Sequence, residues 1–221
     1  MTPTLLASGP ADAPHVAFAH GAGSPRDSAW METFAAGLAA QGIRVARFEF
    51  PYMAARRISG SRRPPDREAV LLDTWRGVVA ELGGGANVAI GGKSMGGRMA
   101  SMVADELGVR ALVCFGYPFH APGRPNKPRI AHLAAIATPT LILQGTRDPF
   151  GPPNDVAAYP LSPNIRIHWL PDGDHDLSPR ASSGRARRQN WDEAIAEAAA
   201  FIGSHARNSP SPAKSGEGVG G

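Results

Sequence analysis

The chain has 221 residues, which is enough for one well-buried domain and short for two. Hydrophobic residues make up 43% and charged residues 19%, as in ordinary globular proteins, which excludes a wholly disordered chain. Its net charge is +4, and its single cysteine, Cys114, excludes an intramolecular disulfide and a cysteine-based metal site. Cys114 lies in an apolar run, and we interpret it as a small buried hydrophobe.

Short apolar runs alternate along the chain with longer amphipathic segments. This pattern predicts an α/β fold with a mostly parallel central sheet of six or seven strands and helices on both faces. The predicted strands, in chain order, are His15–Ala19, Ile43–Phe48, Asn87–Ile90, Ala111–Phe115, Thr140–Leu143 and Ile165–Leu170. The predicted helices are Ser28–Gln41, Asp66–Leu82, Met95–Leu107, the short Ile130–Ile136 and Asn190–Ile202. On the second of these, the apolar stripe is predicted to face the core; it consists of Val70, Trp75, Val78, Val79 and Leu82.

The two ends of the chain differ in composition from its middle. Residues 1–13 either add an edge strand or fray, and residues 14–203 are predicted to form a single domain. Residues 204–221 are rich in Ser, Pro, Gly and Lys and are predicted to be a disordered tail. The N-terminus lacks the basic and apolar regions of a signal peptide, and no run approaches the roughly 18 apolar residues of a membrane span. The sequence therefore predicts a cytoplasmic protein without a membrane partner.

Arginines are concentrated in two segments, Arg56 to Arg67 and Arg180 to Arg188, which are rich in Gly, Ser or Pro. We interpret both segments as solvated loops. They lack the interleaved aromatic residues of a nucleic-acid platform, so no nucleic-acid partner is expected. A site for an anionic substrate group is the alternative. Arg56 and Arg57 follow a predicted strand at its carboxyl end and are our candidates for holding a carboxylate or phosphate.

The most informative segment is Gly92–Gly96, which reads Gly-Lys-Ser-Met-Gly between a predicted strand and a predicted helix. A sharp reversal from strand to helix strains the backbone of Ser94, and glycines on both sides avoid Cβ clashes. Ser94 then stands at a helix N-terminus, where free N–H groups favour negative charge. We interpret Ser94 as a nucleophile; the alternative is a Gly-rich turn with an incidental serine.

The same residues also resemble the end of a phosphate-binding P-loop, Gly-Lys-Ser. That motif requires a glycine five positions before Gly92, where this chain has Asn87. It also requires loop residues in between, whereas here they are predicted strand. The P-loop interpretation is therefore disfavoured.

A serine nucleophile needs a histidine base and a carboxylate that orients the histidine. Asp148 follows the fifth predicted strand, at the sheet edge where ligand-facing residues of open α/β sheets lie. Its alternative role is a helix cap, and Asp155 is the second candidate acid. His175 follows the last predicted strand and is the candidate base. His120 follows another strand and is the second candidate base or a substrate-pocket residue.

Stabilising an oxyanion requires two N–H groups. Met95, directly after the candidate nucleophile, supplies one. The segment His20–Pro25 resembles the His-Gly loop of esterases, so we expect Ala22 to supply the other and Gly21 to line the substrate pocket. A simple glycine turn is the alternative. The chain from Ser94 to Asp148 is nearly filled by its predicted elements, so no lid domain is expected and the site should be open.

Six segments carry a family resemblance: HGAGSPRDS, RFEFPYMAARR, GGKSMGGRMAS, GYPFH, LILQGTRDPFG and DGDHDL. Together, over residues 14–203, they resemble the bacterial α/β-hydrolases with the domain shared by the NSL-complex subunit and testis-expressed proteins. That group is similar to dienelactone hydrolases. The resemblance implies the α/β-hydrolase fold and a triad of Ser94, Asp148 and His175. Dienelactone hydrolases use a cysteine nucleophile, whereas this chain has serine, so dienelactone cleavage is not implied.

The combined expectation is a serine hydrolase, esterase- or thioesterase-like, acting on a small-molecule acyl substrate through an acyl-enzyme. This chemistry needs neither a metal nor a cofactor, and none is expected. The alternative is a non-catalytic interaction module on the same fold, since fold alone does not fix function.

Overall fold

Seven strands form one sheet in the computed structural model, which describes residues 3–206. Across the sheet their order is β1-β3-β2-β4-β5-β6-β7. The short β1 pairs antiparallel with β3, and every other neighbouring pair is parallel. The strands are β1 (Leu6–Ser8), β2 (His15–Ala19), β3 (Arg44–Phe48), β4 (Val88–Lys93), β5 (Leu112–Phe115), β6 (Thr140–Gly145) and β7 (Ile165–Leu170). The predicted mostly parallel sheet is confirmed.

Helices cover both faces of the sheet, as predicted. They are α1 (Ala29–Ala40), α2 (Pro51–Ser59), α3 (Glu68–Glu81), α4 (Met95–Leu107), α5 (Pro153–Val156) and α6 (Arg187–Ala206). Each face of the sheet packs against its own buried hydrophobic cluster. One cluster includes residues of α2, α3 and α4, and the other includes residues of α1 and α6. Along β4, Val88 and Ile90 belong to the first cluster and Ala89 to the second. This alternation is why a central parallel strand is apolar on both sides.

Two helices were missed from the sequence, α2 and the short α5. Residues 51–59 form α2, so the prediction that Arg56 and Arg57 lie in a loop was wrong. The helix has local signals: Pro51 occupies the first turn, and Gly60 ends it in the left-handed conformation with φ 69°. The second basic segment is also partly helical, because α6 begins at Arg187 rather than at residue 190.

Other helices differ from the predicted ones in type, orientation or boundaries. The predicted helix at 130–136 is only a 3-10 turn, Ala131–Ala134. On α3 the side chain of Val70, predicted to face the core, is 41% exposed, and Leu71 is buried instead. Helix α6 continues through residues 204–206, where a disordered tail was predicted; residues 207–221 of that prediction lie outside the described residues.

No lid domain is inserted between residues 94 and 148, where the described chain contains only α4, β5, the 3-10 turn and β6 with their connections. The carboxyl ends of β2, β4, β6 and β7 therefore remain open to solvent at one edge. None of the helices within residues 3–206 is long and apolar enough to cross a membrane.

The packing of α3 against the sheet predicts a strong dependence on Trp75. Its indole is fully buried and meets the ring of Phe48 edge-on, with centroids 4.7 Å apart. Replacing Trp75 by Ala should lower the free energy of unfolding by about 3–5 kcal/mol, because it removes buried area and leaves a cavity. Urea unfolding measures this. Val70→Ala on the same helix is the control and should change stability by no more than about 0.5 kcal/mol.

Candidate active site

Ser94 occupies a strained turn between the last residue of β4 and the first residue of α4. Its backbone has φ 50° and ψ −117°, a combination that non-glycine residues rarely adopt. Gly92 and Gly96, on either side of the serine, lie so close to neighbouring backbone atoms that neither position has room for a Cβ atom. A Cβ on Gly92 would lie 2.5 Å from the carbonyl oxygen of Ala19, and one on Gly96 would lie 2.6 Å from that of His20. The turn therefore presses against the end of β2 and leaves the serine side chain facing outward.

Three side chains predicted from separate segments meet at this turn. The Nε2 atom of His175 lies 2.9 Å from Oγ of Ser94, and its Nδ1 atom lies 2.8 Å from Oδ2 of Asp148. Both distances are within normal hydrogen-bond range. Ser94 follows β4, Asp148 follows β6 and His175 follows β7, so the carboxyl ends of three parallel strands bring them together.

The partners of the imidazole determine its tautomer. A carboxylate can only accept a hydrogen bond, so Nδ1–H of His175 donates to Asp148 and the lone pair of Nε2 faces the Ser94 hydroxyl. Asp148 is completely buried, and it accepts two further hydrogen bonds, from Nε2 of Gln144 and the backbone N–H of Phe150. These bonds compensate the burial of the carboxylate and fix its orientation.

Two backbone segments border the serine, the start of α4 and the loop after β2. Met95 is the first residue of α4, where helix geometry leaves the N–H without an intrahelical acceptor. Gly21 lies beside the nucleophile: a Cβ built on it would be 3.7 Å from Cβ of Ser94. The loop that contains Ala22 is thus adjacent to Ser94, as the His-Gly resemblance predicts.

His20 fixes the orientation of this loop. Its Nδ1–H donates to the carbonyl oxygen of Gly21 at 2.7 Å, and its Nε2 accepts the N–H of Phe50 at 3.2 Å. In a planar trans peptide, C=O and N–H point in opposite directions. The bond to Gly21 therefore also sets the direction of the Ala22 N–H. The hydroxyl of Tyr52 donates to the carbonyl of Ala22 at 2.9 Å and holds the next peptide in the same way.

An open cavity of about 280 Å³ lies over the serine. Apolar walls come from Trp30, Met31 and Phe150, and charged groups come from Lys93 and Asp176. The remaining lining residues are Gly21, Ala22, Gly23, Ser24, Ser28, Ser94 and His175. The predicted pocket residue Gly21 and the predicted oxyanion residue Ala22 therefore border this cavity beside Ser94, whereas Met95 is not among the lining residues.

Arg56 and Arg57 do not line this cavity. Arg57 is occupied by two carboxylates: it donates to Glu49 through Nε and Nη2, and to Asp27 at 2.8 Å. Because its charge is already paired, this geometry gives no support to the hypothesis that Arg57 holds a substrate anion. Arg56 donates to the carbonyl of Gly23 at 3.3 Å and supports the loop from outside.

The second candidates for base and acid are paired with each other instead. His120 is buried, and its Nε2 lies 3.2 Å from Oδ2 of Asp155, a residue of α5. Its Nδ1–H donates to the carbonyl of Ala121. His120 does not border the cavity over Ser94, so its predicted role as base or pocket residue has no support in this geometry.

Sequence reasoning missed Gln144, His20 and Lys93 as supports of the site. Gln144 links two loops: its Oε1 accepts the N–H of Tyr117 at 2.7 Å, and its Nε2 reaches Asp148. The signal for it was a polar residue at the end of an apolar strand. Within residues 3–206, no group of three or more His, Cys, Asp or Glu side chains is arranged to hold a metal ion.

A sequence family described as alpha/beta hydrolase domain matches residues 12–203. The chain belongs to this α/β-hydrolase family. The predicted α/β-hydrolase fold is thereby confirmed.

Solved α/β-hydrolase structures have the same architecture at low sequence identity. A lidless serine hydrolase from Xanthomonas campestris has a TM-score of 0.60 and 17% identity, over 93% of this chain and 94% of the other. A dienelactone hydrolase from Anabaena variabilis has a TM-score of 0.65 and 21% identity, over 91% and 98%. The esterase domain of a Rhodothermus marinus protein has a TM-score of 0.59 and 18% identity, over 91% and 90%. At these identities the likeness establishes the fold.

The close contact at Gly96 gives a testable consequence. Gly96→Ala should destabilise the protein by about 1–3 kcal/mol, because its Cβ must displace backbone atoms of β2. Gly203→Ala in α6 is the matched control: a Cβ there meets nothing within 4 Å, and the better helix propensity should add up to about 1 kcal/mol. Thermal unfolding compares the two, and equal effects would contradict the crowding argument.

Burial lowers the pKa of His20 below its ordinary value, and burial is also the main cause that lowers the pKa of His132. The unfolded chain then binds more protons than the folded one below about pH 6.5, so stability should fall as the pH drops. We expect the stability of His20→Gln to fall less steeply with decreasing pH than that of the wild type. Protonation of His132 should account for part of the pH dependence that remains. Urea unfolding of the wild type and of His20→Gln at pH 7, 6 and 5 measures how the free energy of unfolding depends on pH. The same dependence in both proteins would contradict the role given to His20.

Proposed function

We propose that this protein is a serine hydrolase that cleaves a small ester or thioester, with Ser94 as nucleophile, His175 as general base and Asp148 as the orienting acid. The observation that carries the proposal is the double contact of one imidazole, 2.9 Å from a hydroxyl and 2.8 Å from a buried carboxylate. A serine hydroxyl is a weak nucleophile, and this arrangement is the one that activates it.

The proposed reaction begins with attack of Ser94 Oγ on the acyl carbonyl carbon. Nε2 of His175 takes the hydroxyl proton as the new C–O bond forms, and Asp148 stabilises the resulting imidazolium. The carbonyl oxygen becomes an oxyanion, which the N–H groups of Met95 and Ala22 stabilise by hydrogen bonds. The strained turn and the His20 bond orient these donors before the substrate arrives.

Collapse of the tetrahedral intermediate breaks the bond to the leaving group, and the imidazolium donates its proton to the departing oxygen or sulfur. The acyl group stays on Ser94 as an ester. A water molecule, deprotonated by His175, then attacks this acyl-enzyme, and the acid is released as the serine recovers its proton. Both halves use only side chains and backbone groups of this chain, with no metal or cofactor.

The proposed substrate is a small acyl compound. A cavity of about 280 Å³, open to solvent, suits a compact acyl group better than a long chain. Trp30, Met31 and Phe150 offer apolar contacts for that group. Esterases and a dienelactone hydrolase among the solved structures support hydrolytic chemistry. Closer kinship with the NSL-complex-like bacterial hydrolases is part of the proposal and rests on the sequence motifs.

Replacing Ser94 by Ala tests the nucleophile. We expect kcat for a short-chain ester to fall by about three orders of magnitude or more, because removal of a triad member leaves only the oxyanion contacts. A fluorophosphonate probe should label the wild type and not the variant. Ser61→Ala, an exposed serine beyond α2, is the control and should match the wild type in both assays.

Two outcomes would overturn the proposal. Full esterase activity in folded Ser94→Ala would mean that another group attacks the substrate. A folded wild-type protein that neither hydrolyses esters and thioesters nor takes the label would support the alternative, a non-catalytic interaction module.

A further inference from the structure

The loop that carries His175 is held by side chains from α1, from α6, from the end of β4 and from the loop after β6. It leaves β7 at residue 171, and two of its residues adopt positive φ without being glycine, Asp172 at 52° and Leu177 at 63°. Such conformations cost free energy and persist only when surrounding contacts impose them. The contacts here are hydrogen bonds to the carbonyl oxygens of the loop.

Helices α1 and α6 provide most of these bonds. The indole N–H groups of Trp30 and Trp191 both donate to the carbonyl of Asp176, at 3.3 and 2.8 Å. The side-chain amide of Asn190 donates to the carbonyls of Pro171 and Leu177, at 3.0 and 2.9 Å. The loop is thus fixed on both sides of His175.

Two further contacts come from elsewhere in the chain. Nε of Arg147, in the loop after β6, donates to the carbonyl of Asp172 at 3.0 Å. The other comes from Lys93, the residue directly before the proposed nucleophile. Its side chain is nine-tenths buried, and its ammonium donates to the carbonyl oxygen of His175 itself. The same Nζ lies 3.1 Å from Oδ1 of Asp176 and 5.5 Å from the ring centroid of Trp30. A compact ammonium has three donors, and here a carbonyl, a carboxylate and an aromatic face receive them.

Neighbouring backbone leaves room for this ammonium. Gly116 follows β5 with φ 63°, and a Cβ at that position would lie 3.3 Å from Nζ of Lys93 and 2.7 Å from the carbonyl oxygen of His175. The ammonium and the carbonyl therefore meet in a space that a larger residue at position 116 would invade. Burying a charged group this deeply costs free energy unless the group is paired. The partners of the Lys93 ammonium therefore offset the cost of its burial.

We propose that Lys93 is a positioning residue, whose ammonium ties the backbone of His175 to the nucleophile turn and so keeps the imidazole aimed at Ser94. The inference rests on the proposed function for its catalytic consequence. Lys93 and Ser94 are adjacent in sequence, so any movement of the turn carries the anchor of the base with it. Misplacement of a catalytic group by about 1 Å can cost about 100-fold in rate.

The main alternative is that Lys93 binds an anionic group of the substrate, because it borders the same cavity. Kinetic constants separate the two roles. A positioning residue affects kcat with a neutral ester, whereas a substrate-binding ammonium affects KM, and only for anionic esters.

The first test is Lys93→Met, which keeps the length of the side chain and removes the charge. With a neutral short-chain ester we expect kcat to fall about 10- to 100-fold, with KM changed by no more than about twofold. The rate of fluorophosphonate labelling at Ser94 should fall by the same factor. Lys127→Met, an exposed lysine in the loop after β5, is the matched control and should leave all three values unchanged.

A second variant restores the ammonium chemically. Lys93→Cys treated with 2-bromoethylamine gains a side chain one sulfur different from lysine, and kcat should recover most of the loss. Cys114 is fully buried and should not react; treated wild type controls for it. Because activity is compared before and after treatment on one chain, this test remains informative if Lys93→Met folds poorly.

Hydrogen exchange provides a readout that does not depend on catalysis. Backbone amides of residues 172–178 should exchange faster in Lys93→Met than in wild type, with no change in α3. Unchanged exchange, unchanged kcat in a folded variant, or an effect on KM alone would each overturn the inference. If the wild type is inactive and unlabelled, the proposed function fails, while the exchange comparison still decides whether Lys93 holds the loop.

Discussion

The imidazole of His175 bonds on one side to a hydroxyl that follows β4 and on the other to a carboxylate that follows β6. Its two ring nitrogens are a fixed distance apart. Both hydrogen bonds can form only if the ends of β4, β6 and β7 keep their positions relative to one another within a fraction of an ångström. The parallel register of the sheet meets this requirement. Strand β5 separates β4 from β6 and spaces the hydroxyl from the carboxylate.

Around this contact, buried polar atoms are paired densely. Asp148, Gln144 and His20 are all fully buried, and each makes more than one hydrogen bond. Unpaired, such groups would cost free energy, so each one specifies where its partners must lie. This pairing is how a set of surface loops acquires the rigidity that the proposed chemistry requires.

The sequence was sufficient for the residues that carry local signals. Ser94 lies within a glycine-flanked pattern between two elements, and Asp148 and His175 follow apolar runs in the expected order. Their convergence depended only on the rule that carboxyl ends of parallel strands share one edge. The pairing of Arg57 with Asp27 and Glu49 could not be predicted. It requires the helix α2, which was missed, and it brings in Asp27 from 30 positions earlier in the chain.

Lys93 illustrates the same limit within the motif itself. Its position was known from the pentapeptide, but its carbonyl and carboxylate partners, on His175 and Asp176, lie more than 80 positions later in the chain, and no periodicity links them. The exposed Val70 departs from the predicted stripe only in the first turn of α3, where Leu71 is buried instead. Farther along the helix, Trp75, Val78 and Val79 are buried as the pattern suggested.

The backbone of Ser94 carries a further consequence. Its φ of 50° is easy for glycine and unfavourable for any residue with a Cβ, at a cost of about 1–3 kcal/mol. A chain with glycine at this position would therefore be more stable, because the backbone strain would be relieved, but it would lack the hydroxyl. The hydroxyl of the proposed nucleophile is therefore obtained at the expense of the stability of the fold.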